Sequence, residues 1–181
     1  MKILLTGATG FVGKAVNENL KEYTVNLISR NAPIEFSDNF YIKTISSSED
    51  FTDCLEDVDV VIHTAARVHQ MNDQSSDSMF DYIETNCSGT LNLARQAVKS
   101  GVKRFIFIST IKVNGEKTTK GSPFRFDDPR NGSDSYSLSK SKAEQGLIRI
   151  SKESKLEVTI IRPPLVYGPG VQANFKSLMV L

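Results

Sequence analysis

The stretch KILLTGATGFVGKAV, residues 2–16, decides the fold. Its opening, KILLT, is an apolar run without polar alternation, the pattern of a strand buried on both faces of a parallel sheet. From Phe11 onward, Val12, Ala15, Val16 and Leu20 fall on one helical face and predict a helix over 11–21. Between the two, TGATGFVG spaces Gly7, Gly10 and Gly13 three apart, one step off the dinucleotide fingerprint G-x-G-x-x-G. The physics of the two spacings is the same. One glycine leaves the strand in a conformation that side chains avoid. Another lets backbone N–H groups approach a pyrophosphate at the helix N-terminus, and the third lets the helix pack closely on the sheet. A purely structural turn is the competing reading, and the position directly between strand and helix weighs against it.

Working outward, the same alternation recurs. Strands are expected at 23–29, 39–45, 58–66, 102–110 and 156–162, and helices at 51–55, 79–100 and 136–153. Gly101 supplies a helix stop. Strands alternating with helices of this length imply an α/β fold, a doubly wound parallel sheet of Rossmann type. A polar segment of about two dozen residues, 112–135, is rich in Gly, Pro, Asp and Ser, and loops this long are usually functional or disordered. Residues 1–168 read as one NAD(P)-binding domain. Residues 169–181 read as the start of a substrate-binding segment that is cut short, because a new helix from Asn174 runs to an apolar end.

With 181 residues the chain can bury its own core without disulfides or metals, and no metal site is expected. A net charge of +1 with scattered lysines gives no electrostatic case for nucleic acid or an anionic membrane surface. No apolar run approaches the roughly 20 residues that span a bilayer, and no signal-peptide pattern opens the chain, so a cytoplasmic location is expected. Cys54 and Cys87 lack metal-like spacing and suit a reducing compartment as two thiols without a role.

The chemistry is carried downstream. YSLSK places Tyr136 and Lys140 one helical turn apart on one face. A free tyrosine, with a pKa of about 10, is a poor base at neutral pH. A nearby ammonium, joined by a cationic nicotinamide, favours the phenolate. At the end of the fifth strand, Ser109 and Thr110 bring hydroxyls to the carboxyl edge, beyond which open α/β sheets bind their ligands. Hydroxyl, phenol and ammonium together make a proton relay for oxidising an alcohol or reducing a ketone; plain strand-end hydrogen bonding is the alternative for the two hydroxyls. Strand two should end on an acid, about 20 residues past the glycines, if the cofactor is NAD. It ends instead in Ser29–Arg30–Asn31, so Arg30 favours NADP through a 2′-phosphate, unless it is only a solvated strand-end residue.

TGATGFVG, VIHTAARV, NCSGTLNL, FISTIKVNG, YSLSK and IIRPPLVYGPG occur in one order. In that order the chain resembles the extended short-chain dehydrogenases/reductases, and within them the NAD-dependent epimerase/dehydratase group acting on nucleotide sugars, typified by UDP-galactose 4-epimerase. STIKVNGE and RPPLVYGPGVQANF are most similar to bacterial enzymes of surface-polysaccharide sugar synthesis, UDP-sugar 4-epimerases or 4-ketoreductases. The resemblance implies that Gly7, Gly10 and Gly13, with the backbone of Phe11 and Val12, hold the pyrophosphate. It implies that Ala65 and Ala66 line the cofactor cleft and that Asn86 steadies the central helix. Thr110 takes the catalytic hydroxyl, where the family usually has serine, with Ser109 as fallback beside the cofactor. Tyr136 and Lys140 are base and partner. Arg162 and Pro163 begin a segment over the nicotinamide, and Asn174 falls where relatives contact the substrate diphosphate. The expected partner is a nucleotide-sugar substrate, and the resemblance leaves room for a homodimer. Epimerase and ketoreductase both stay open, as do a reductase of another hydrophobic ketone and a non-catalytic NAD(P)-binding regulator.

Overall fold

The computed structural model describes residues 1–31, 39–68 and 79–169. The strand–turn–helix opening forms as expected, with β1 at Lys2–Thr6 and α1 at Phe11–Glu18. The helix stops before residue 21 because the Asn19 side chain donates to the Ala15 carbonyl, 2.8 Å away, while the Asn19 and Leu20 N–H groups bond three residues back. Then follow β2 (Thr24–Ser29), β3 (Phe40–Ile42), a 3₁₀ turn (Asp53–Leu55) and β4 (Val60–His63). Next come α2 (Met79–Ile83), a π-helical turn (Glu84–Gly89) and α3 (Thr90–Lys99). The chain continues with β5 (Arg104–Ile108), a 3₁₀ turn (Ile111–Val113), α4 (Ser135–Glu153) and β6 (Glu157–Ile161).

Among the described residues the six strands form one sheet in the order β3-β2-β1-β4-β5-β6, with every pairing parallel. This is a doubly wound sheet, with β1 at the switch between the two halves. Alternate residues of β1 serve opposite faces. Leu4 joins Ile28, Val61, Phe105, Phe107, Leu93, Ala97 and Leu147 in the larger core, and Leu5 joins Ala8 and Leu27 in the smaller one against Val16.

Three expected elements differ. The long helix over 79–100 is interrupted by the π-helical turn, which carries the buried Asn86. Strand four is shorter than 58–66. Asp57, at φ 56°, turns the chain into it, and after His63 the backbone leaves the ladder toward the glycine turn. Strand three pairs with β2 over three residues only. Asn174 and nearly all of 169–181 lie outside the described residues, as does the helix expected there. No helix among the described residues is long and apolar enough to cross a membrane.

Candidate active site

The glycine turn sits where β1, β2 and β4 end together. Gly7, at φ +71°, has its N–H on the Ile28 carbonyl at 3.0 Å. A Cβ on Gly7 would stand 2.7 Å from the Ala65 nitrogen, and one on Gly13 would stand 2.1 Å from the Gly7 carbonyl oxygen. Neither position has room for a side chain, so α1 lies directly on the strand end. Gly10 differs: its Cβ would meet only the Gly7 carbonyl oxygen, at 3.2 Å, and it lines an open cleft. That cleft runs past Gly7, Thr9, Ser29 and Arg30 to Lys43, Ala65, Ala66 and Arg67. Gly10 is the N-cap of α1 and brings no capping side chain, so the N–H groups of Phe11, Val12 and Gly13 face the positive helix end unshielded. The residues present therefore suit a dinucleotide, with its pyrophosphate at Gly10 and its adenosine end toward Ser29 and Arg30.

Among the described residues no carboxylate follows β2 on the ribose side. Thr9 and Ser29 share a hydrogen bond of 2.8 Å, and Arg30 is exposed. The structure adds Lys43, a second cation that sequence reading missed; it is ion-paired to Asp53 at 2.9 Å and donates to the Asp50 carbonyl.

Beneath Ala65 and Ala66 lies His63, also unread in the sequence. Its Nδ1 is 2.6 Å from the Thr6 hydroxyl and its Nε2 is 2.9 Å from that of Thr90. Thr90 donates onward to the Asn86 carbonyl, so Nε2 carries the proton and Nδ1 accepts. Burial first, then the Lys140 charge, push His63 down to about 3, so it is neutral. Asn86, on the π-helical turn, pairs with the Arg67 backbone, accepting its N–H at 2.7 Å and donating to its carbonyl at 3.0 Å. It also donates to the Ser139 hydroxyl. The central helix is thereby tied to both the cleft and α4.

Helix α4 begins on Asp134, whose side chain accepts the Ser137 N–H at 2.6 Å and pairs with Lys112 at 3.1 Å. This fixes the first turn, where Tyr136 is half-buried. Lys140 follows one turn later with 1% exposure. Its ammonium donates to the Ile108 carbonyl at 2.8 Å and sits 4.4 Å above the Phe107 ring. Burial lowers Lys140 to about 7, and Glu144 opposes that shift. Burial first, then Asp134 and Tyr82, push Tyr136 up to about 12.

The two candidate hydroxyls separate cleanly. Ser109 is buried and donates to Glu144 at 2.6 Å. Thr110, next in the chain, accepts only a 3.3 Å bond from the Lys112 N–H, leaving its own proton available. Ser109 is therefore engaged by Glu144, whereas the Thr110 hydroxyl keeps its proton uncommitted. The Arg162 guanidinium bonds Glu144 twice, Asn114 and the Phe126 carbonyl, so it anchors its segment. Pro163 accepts the Ile111 N–H through its carbonyl. Cys54 and Cys87 are buried thiols raised by burial, Cys54 to about 12, and so are inert.

The chain is 50% identical over 184 residues to UDP-glucose 4-epimerase of Vibrio cholerae, covering 99% of this chain and 56% of that protein. Among solved structures, MoeE5 in complex with UDP-glucose and NAD superposes with a TM-score of 0.85 at 25% identity, over 99% of this chain and 60% of that one. UDP-glucose 4-epimerase of Thermotoga maritima, solved with UDP-glucose, gives 0.78 at 30% identity, over 93% and 57%. The chain thus spans little more than half the length of these relatives. The family model for the NAD dependent epimerase/dehydratase family matches residues 3–181, and the chain belongs to that family.

Proposed function

We propose that the protein of which this chain forms the cofactor-binding part interconverts or reduces a nucleotide sugar at C4, using NAD(P) and a proton relay of Thr110, Tyr136 and Lys140. The observation that carries this reading is a buried Lys140 one helical turn after Tyr136 on α4, bonded to the Ile108 carbonyl at the end of β5, two residues before a Thr110 hydroxyl that has no acceptor among the described residues.

The cradle of Gly7, Gly10 and Gly13, with the N–H groups of Phe11 and Val12, would hold NAD(P), which supplies a hydride acceptor or donor at its nicotinamide. Thr110 donates its hydroxyl proton to the sugar oxygen and keeps that oxygen against Tyr136. Tyr136 takes the sugar proton or returns it. With its pKa raised by burial and by Asp134, the phenol is a proton donor on the protein's own account. It becomes a base only when positive charge arrives beside it. Lys140, fixed on the Ile108 carbonyl, would hold the ribose of the bound cofactor and supply positive charge near Tyr136.

The Vibrio cholerae relative, at 50% identity, favours the 4-epimerase. Arg30, exposed in the cleft at the end of β2 with no carboxylate beside it among the described residues, favours NADP and hence the 4-ketoreductase. The full-length protein should be offered UDP-glucose and UDP-galactose with NAD, and a UDP-4-keto sugar with NADPH, following product or absorbance. Tyr136→Phe is expected to lower kcat by about 10²–10⁴ while leaving cofactor affinity in place. A Tyr136→Phe protein with wild-type turnover overturns the relay.

A further inference from the structure

Glu144 has no exposed surface and both of its carboxylate oxygens are doubly engaged. Oε1 accepts the Ser109 hydroxyl at 2.6 Å and Arg162 Nε at 2.9 Å. Oε2 accepts Arg162 Nη2 at 2.6 Å and Arg130 Nε at 3.1 Å. Its donors come from three places in the chain: the end of β5, the long loop before α4, and the segment after β6. Glu144 itself stands on α4 one turn beyond Lys140 and two beyond Tyr136, on the same face.

A buried ion pair is weak evidence for stability, because desolvation offsets much of the attraction. What two doubly loaded oxygens do supply is fixed geometry. Ser109 precedes Thr110 directly. The backbone on either side is pinned to the same segment, since the Ser109 N–H donates to the Ile161 carbonyl at 2.7 Å and the Ile111 N–H to the Pro163 carbonyl at 3.1 Å. Thr110 and Tyr136 lie on different elements yet must address one sugar oxygen.

We propose that Glu144 is a positioning residue: its carboxylate locks the Ser109–Thr110 strand end, helix α4 and the segment after β6 together, and so holds the Thr110 hydroxyl in register with Tyr136. The role rests on the relay proposed above. It gives Ser109 a function through Glu144, not as a hydroxyl that touches substrate. A misplacement of about 1 Å at such a site can cost on the order of 10²-fold in rate.

The test is steady-state kinetics of the full-length protein, with UDP-glucose and UDP-galactose plus NAD and with a UDP-4-keto sugar plus NADPH, well below the melting temperature. Ser109→Ala removes one link and no charge. It is expected to lower kcat roughly tenfold, with KM and cofactor Kd within about twofold of wild type. Glu144→Gln is expected to lose roughly 10²-fold in kcat, and Glu144→Asp to recover part of it. Should Glu144→Gln fail to fold, Ser109→Ala decides alone. A lower melting temperature with unchanged kcat in Ser109→Ala overturns the positioning role and leaves the relay standing. A wild-type protein inert toward every sugar overturns the relay and this role with it.

Discussion

A single imidazole carries the clearest pH signature in the molecule. His63 has both nitrogens in hydrogen bonds that only the neutral ring satisfies, and it is stacked on Phe107 with ring centroids 5.8 Å apart. Its folded pKa, about 3, lies below the ordinary 6.5. Between those values the unfolded chain binds a proton that the folded protein does not. Its contribution is therefore complete above pH 6.5 and is lost as pH falls, at about 1.4 kcal/mol per unit. Urea unfolding at pH 6.5 and pH 5 should show wild type losing about 2 kcal/mol more than His63→Gln over that interval. Equal losses in the two proteins would rule the effect out. At this scale the sequence was uneven. The Tyr136–Lys140 pair was legible because one helix turn specifies its spacing, while Thr110 was separated from Ser109 only through the family resemblance. His63 was not legible, since a lone histidine in an apolar strand gives no sign of the Thr6 and Thr90 hydroxyls on either side. The Glu144 network was also hidden, because its partners at 109, 130 and 162 meet only through the fold.

Elements were legible in kind and order, and less so in extent. Apolar and β-branched residues continue past the point where a strand has a neighbour to bond, so β3 and β4 came out shorter than their patterns. The π-helical turn had no signal in a 3.6-residue period. Asn86 was found only through the family resemblance, and the turn is what presents it to Arg67 and Ser139. Helix α4 bears the next prediction through its cap. Asp134 both accepts the Ser137 N–H and disfavours the Tyr136 phenolate. Asp134→Asn keeps a capping oxygen but removes the charge, so helix stability should change little. Asp134→Ala should cost about 1 kcal/mol. In absorbance titrations referenced to Tyr136→Phe, the Tyr136 midpoint should move down in Asp134→Asn. A midpoint that stays or rises would show that Asp134 does not act on the phenol.

The doubly wound sheet itself followed from residues 2–16 and the alternation after them, and the strand order adds what sequence could not, the meeting of β1, β2 and β4 ends around one cleft. That cleft sets a property of the whole molecule, its stabilisation by cofactor. A ligand that binds only the folded state at 100 times its Kd adds about 2.7 kcal/mol. With equal concentrations, NADP should raise the melting temperature more than NAD does, and Arg30→Ala should erase the difference. A larger rise with NAD in wild type would remove the case for a 2′-phosphate contact at Arg30. Such melting curves need no sugar and no turnover.

The sealed carboxylate of Glu144 also sets where this chain tolerates shortening. Arg162 lies one residue beyond β6, outside every strand and helix, yet it supplies two of the bonds on that carboxylate. A gene cut after residue 161 would retain the whole sheet and lose the cation. It would leave a negative charge in the interior with only Arg130 and a serine to answer it. Cut after residue 169, the same protein keeps the cation and the carbonyl of Pro163. The smallest expressible unit is thus marked by an ion pair beyond the last strand, not by the last strand itself.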